Sequence, residues 1–102
     1  MANITVIPGQ TAAVATQQMV DASSYVTIMV IAFGLATTET ATIFISAGGV
    51  WVPLADRAGV AVVLTATAPQ VALEGGVLYG VTKSATAGDA GVDAVLQHFS
   101  FG

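Results

Sequence analysis

The 102-residue chain is 55% apolar by residue count and only 8% charged, with a net charge of −4 and no cysteine. A freely soluble small domain carries roughly 25% charged residues, so part of this exterior is expected to be covered by neighbouring molecules. Arg57 and Lys83, the two strong cations, make neither a phosphate track nor a membrane footprint, which argues against nucleic-acid and membrane partners. The missing cysteines exclude disulfides, thiol nucleophiles and thiolate metal sites.

A chain of this length is expected to form one domain, residues 1–102, with residues 1–24 a peripheral arm or edge segment. Met1-Ala-Asn-Ile-Thr5 lacks the basic start and apolar run of a secretory signal, so the protein is expected to be used without crossing a membrane on a signal of its own. Asn3 to Ile7 alternates weakly and stops at Pro8-Gly9, a turn signal. Gln10 to Val20 reads as an edge strand or extended segment, with a short helix as the alternative. Tyr25 to Phe33 is a long strand that is apolar on both faces, which calls for one extra cover: a neighbour, or the N-terminal segment folded over it. At about half the length of a membrane helix, the apolar run Val26–Ala36 reads as a strand, or at most a buried segment.

Ala41 to Ala47 and Val50 to Leu54 flank Gly48-Gly49, a tight reversal. Asp56 to Gly59 is a turn, Val60 to Thr67 a strand ended by Pro69. Gln70 to Glu74 and Val77 to Ser84 flank a second reversal at Gly75-Gly76; Ala87 to Gly91 is a loop, and Val92 to Phe99 closes the chain. The glycine pair shared by Ala47–Val52 and Glu74–Tyr79 is hairpin chemistry and not a duplication. Seven to nine short strands without a long amphipathic helix predict an all-β antiparallel sandwich, Ig-like or jelly-roll-like, with a small barrel as runner-up.

Catalytic groups do not assemble in this pattern. His98 is the only histidine; Ser100 is two residues away, Asp93 has the opposite strand parity, and no Gly-x-Ser-x-Gly elbow is present. His98 reads as a partly buried or interfacial terminal residue. Asp89 and Asp93 lack the ligand series of a calcium loop, and one histidine without cysteine does not build the common zinc sites. No pair among the six acids is singled out for glycoside hydrolysis, and neither glycine pair is followed by the lysine or helix start of a phosphate loop. No catalytic, cofactor-binding or metal-binding residue is therefore expected, and no cofactor. Trp51, flanked by Val50, Val52, Pro53 and Leu54, reads as a plug in the core or between subunits in preference to a ligand platform.

The run Ala41-Thr-Ile-Phe-Ile-Ser-Ala-Gly-Gly-Val-Trp-Val-Pro-Leu54 resembles a pattern in small virion proteins of tailed bacteriophages. There a glycine hairpin leads into a Trp-Val-Pro-Leu type strand. Val71 to Lys83, with its glycine turn and Tyr79, looks like the matching half, so the resemblance covers residues 38–99. The chain departs from the pattern in having Ala47-Gly48-Gly49 where Asp-Gly is frequent, and Gly80 where arginine is common after the tyrosine. The resemblance implies a β-sandwich decoration or minor capsid protein without catalytic function, assembled in the host cytoplasm and located in the virion. Its implied partners are the major capsid protein and copies of itself, a symmetric trimer being the natural arrangement. A tail or baseplate component uses the same sandwich. A receptor- or carbohydrate-binding module would use Trp51, Tyr25 and Tyr79.

Overall fold

The computed structural model describes residues 2–56 and 58–97. Along them run nine strands: β1 Ala2–Gln10, β2 Val14–Asp21, β3 Thr27–Phe33, β4 Ala41–Ala47, β5 Val50–Pro53, β6 Val63–Leu64, β7 Gln70–Glu74, β8 Leu78–Lys83 and β9 Ala90–Gln97. No helix occurs among the described residues. All the ladders are antiparallel.

Two sheets result, ordered β1-β9-β3-β7 and β2-β8-β4-β5, with β6 beside the start of β4. The pairings are nested: Ala2 faces Leu96, Val20 faces Tyr79, Thr27 faces Glu74 and Ala41 faces Leu64. Such nesting is that of one long hairpin with its tip near Gly48-Gly49. Rolling the ribbon up adds the lateral pairs β9 with β3 and β8 with β4. This is the strand order of a jelly roll, so the expected sandwich takes that form and not the Ig-like one. Two separate sheets replace the barrel alternative.

The two glycine pairs do different work. Gly48 and Gly49 have φ of 61° and 83°, and Ala47 pairs with Val50. Positive φ at both central residues is the type I′ turn whose twist matches a hairpin. Gly75-Gly76 is not the hairpin expected of it, because β7 pairs with β3 while β8 lies in the other sheet. Here the chain crosses between sheets, and the amides of Gly75 and Gly76 donate to Val26 O and Ala22 O, both at 2.8 Å.

Val60 to Thr67 is also shorter as a strand than expected. Asp56 Oδ1 accepts from the Ala58 and Val60 amides at 2.9 and 3.0 Å, and the Gly59 amide closes the turn on Asp56 O at 3.0 Å. At the far end Thr65 and Ala68 bond each other. Only Val63 and Leu64 remain to pair with β4. Gln10 to Val20 is extended throughout its strand portion, and β2 contributes the fully buried Val20. Of the last predicted strand, His98 and Phe99 lie outside the described residues.

Alternation sends Ile28 and Val30 of β3, Val92 of β9, Ile43 of β4 and Val81 of β8 between the sheets, where Ile7 and Leu64 join them. Each such side chain stabilises the fold by about 1.5–3 kcal/mol relative to exposure. The opposite parity of β3 places Met29 and Phe33 on the outside, and both stay exposed. The N-terminal segment does not cover them: β1 lies in the plane of the sheet, beside β9.

Candidate functional site

Three places gather polar or aromatic groups. The first is at one end of the sandwich. Lys83 shares the parity of Tyr79 and Val81, so strand alternation carries it inward to 4% exposure. Its Nζ donates to Gln10 O at 2.7 Å, Ser84 O at 3.3 Å and Thr86 Oγ1 at 3.3 Å. The Thr86 hydroxyl in turn reaches Gly88 O at 2.6 Å. Glu39, also buried, accepts the amides of Ala36 and Ala87, each at 2.7 Å. Those two amides hold its carboxyl below the usual range, with the Lys83 charge adding a smaller pull in the same direction. All of the lysine's donor capacity goes to fixed acceptors. The cluster ties β1 to β8, one sheet to the other, and leaves no free amine for chemistry.

The second place is the opposite, open side. A cleft of about 550 Å³ separates the sheets beside β7, lined by Ile45, Leu54, Val62, Val71 and Leu73. Val71 and Leu73 point between the sheets yet remain half-buried, because β7 and β5 close on nothing. Tyr79, 4% exposed, forms part of the lining and donates its hydroxyl to Glu74 O at 2.6 Å. Burial raises the phenol above its ordinary pKa, and the Glu74 carboxylate pushes the same way.

The third place is the outer face of the second sheet. Trp51 pairs with Ser46, in phase with Phe44, which itself lies between Pro53 and Gly80. The indole rests over Gly80, and Met19, opposite Gly80 on the other side, is 59% exposed. Core burial, one of the two positions expected for Trp51, is therefore corrected: an edge strand with this register turns the ring outward and leaves it half-buried. The first sheet repeats the device, with Phe33 paired to Gly91 and its ring against that glycine.

The aromatics expected to serve a binding module do not converge. Tyr79 faces the interior, Trp51 the opposite face of the same sheet, and Tyr25 packs partly buried against the core. Asp89 is exposed before β9, while Asp93 sits on the outer face opposite Ile31 and Thr5. Among the described residues no three metal-ligating side chains come together. His98 and Ser100 lie outside the described residues. Lys83 is an interior group that sequence reasoning misses, although its parity with Val81 points there. Among the described residues it is the only strong cation, so every exposed charged side chain among them is a carboxylate.

Comparison with protein-family models, with curated proteins and with solved structures finds no match to this chain.

Proposed function

We propose that this chain is a non-enzymatic structural protein of a phage virion, a decoration or minor capsid protein that docks on the head through apolar surface. The observation that carries the reading is the outer face of the second sheet. Trp51, Phe44, Pro53 and Met19 lie together there, and among the described residues Asp21 at the end of β2 is the charge that shares the face. A sheet face of this kind suits burial beneath a neighbour, because aromatic rings give contact area at low entropy cost and no like charges need desolvating. Jelly rolls serve in viral capsids, and also in lectins and cupins, so the fold supports the reading by analogy only. Repetition over many copies lets a modest contact suffice.

The test is electron microscopy of virions with and without the protein, followed by add-back of wild type and Trp51→Ala. Surface density on the head that returns with wild type and not with the variant is the expected result. A lost or malformed tail assigns the chain to tail or baseplate instead.

The half-open indole favours one second reading, a receptor- or carbohydrate-binding module. Its ring has one face on Gly80 and polar Ser46 directly across the ladder. Glycan-array binding by the isolated protein that vanishes in a folded Trp51→Ala variant would establish it in place of docking.

A further inference from the structure

The four sheet edges are not alike. A bare edge offers unpaired N–H and C=O groups to any other strand, and natural sheets blunt it with proline, bulges or very short strands. On β1 the edge carries Pro8 and two register shifts; on β2 the register shifts between Val14 and Gln18. The edge at β5 is short and ends in Pro53, and β6 beside it has only two residues. By contrast β7, Gln70–Glu74, runs in unbroken register along β3 with no proline inside it.

The hydrogen bonds identify the open groups of β7. Pro69 O accepts from Ala32 N at 2.7 Å, and Gly75 N donates to Val26 O at 2.8 Å. In an antiparallel ladder the bonded residues alternate, so Val71 and Leu73 also turn their backbone groups to β3. Gln70, Ala72 and Glu74 then present theirs to the free edge. The Tyr79 hydroxyl on Glu74 O agrees with this, for that carbonyl points away from β3.

We propose that β7 pairs with β7 of a second copy of this chain, antiparallel across a twofold axis at Ala72. This register matches every open group. Ala72 exchanges both bonds with its counterpart; Gln70 O accepts from Glu74 N of the other copy, and Gln70 N donates to Glu74 O of the other copy at the lone pair that the Tyr79 hydroxyl leaves. The side chains agree as well: Glu74 meets neutral Gln70, so the strand's only charge avoids its like, and the small exposed Ala72 side chains meet at the axis. Val71 faces Leu73 of the second copy in the close, non-bonded pairs, and the two apolar clefts become continuous. Two four-stranded sheets join into one. The inference rests on the reading of the chain as an assembling structural protein, and it replaces the trimer implied by the phage resemblance with a twofold pair.

Sedimentation velocity over a range of concentrations tests it on the full chain, together with Ala72→Lys and Ala72→Pro. Both changes sit on an exposed residue whose amide makes no bond to β3, so circular dichroism should show an unchanged fold. Wild type is expected to form dimers, and each variant to weaken association about tenfold or more. Because the chain has no cysteine, Ala72→Cys gives a second measurement. The bonded pair places the two Cα atoms about 5.5 Å apart, within disulfide range. It should cross-link under mild oxidation much faster than Ser23→Cys, a control in an exposed turn. A wild type that stays monomeric, or equal cross-linking by both cysteines, overturns the proposal. Association that survives Ala72→Lys also overturns it, yet leaves the assembling reading standing on another face. Head binding by a monomer would leave that reading standing as well.

Discussion

The indole of Trp51 occupies the space where Gly80 lacks a side chain: a Cβ at position 80 would lie 3.0 Å from Cζ3 and 3.1 Å from Cε3. It would also lie 2.8 Å from the Cβ of Gln17. Neither neighbour is free to yield, since one is a ring on a paired strand and the other the first atom of its side chain. Gly80→Ala should therefore destabilise by about 1–3 kcal/mol, the usual cost of overpacking. Urea unfolding followed by tryptophan fluorescence measures it, and a red-shifted native emission should accompany the loss as the ring lifts toward water.

Trp51→Ala itself should be milder than a core truncation. The ring is half-buried on an outer face, so about 1–2 kcal/mol is expected, against about 3–5 for a tryptophan in a packed interior. Far-UV circular dichroism should be unchanged. A loss in the core range would place the ring's contacts deeper than the sheet surface.

The type I′ turn at Gly48-Gly49 admits improvement. Nothing lies within 4 Å of a Cβ at either position, so backbone conformation alone decides the outcome. Asparagine tolerates the left-handed region and restricts the unfolded chain more than glycine does. Gly48→Asn should stabilise by about 0.4–1 kcal/mol, while Gly49→Val should cost about 1–2. Thermal denaturation of the two variants gives opposite signs if the turn is as described.

Stability should fall on both sides of neutrality, for different reasons. The Glu39 carboxyl is lowered from its ordinary 4.5 by the Ala36 and Ala87 amides. Its contribution is complete above the unfolded value and is lost as pH falls through the lower folded one. Asp21, lowered by the Ser23 hydroxyl and amide, adds to the same acid limb. Tyr79 is raised from 10.0 by burial, so its contribution is complete below that value and is lost as pH climbs through the folded one. Melting temperature against pH should show both limbs. Glu39→Gln should flatten the acid limb in part, and Tyr79→Phe the alkaline limb, the latter at a fixed cost of about 0.5–1.5 kcal/mol for the lost hydroxyl bond. Unaltered slopes in the two variants would contradict these assignments.

Local pattern reveals the strands well and their partners poorly. Ile28, Val30 and Ala32 alternate legibly, and Gly48-Gly49 announces its hairpin, because both signals are confined to neighbours in the chain. Gly75-Gly76 carries the same local signal with a different outcome, since the place of β8 is decided by β2 and β4, and that of β7 by β3, all distant along the chain. Trp51 is hard to place for a related reason: its apolar flanks are real, but which face it takes depends on pairing with Ser46. The open β7 edge is beyond the reach of pattern, because an edge is defined by the strand that is not there.

Strand β9 is the last of the nine to be made, yet it lies between β1 and β3 and bonds to both. Until it emerges during synthesis, the first sheet has a gap where its second strand belongs, and Ile7, Ile28 and Val30 lack the lateral neighbours that Val92, Ala94 and Leu96 provide in the core. At about 5–20 residues per second those early strands wait for some seconds with apolar faces open. The order of synthesis thus runs against the order of the sheet: β1 and β3, the first two of its strands in the chain, are joined only when the last strand arrives.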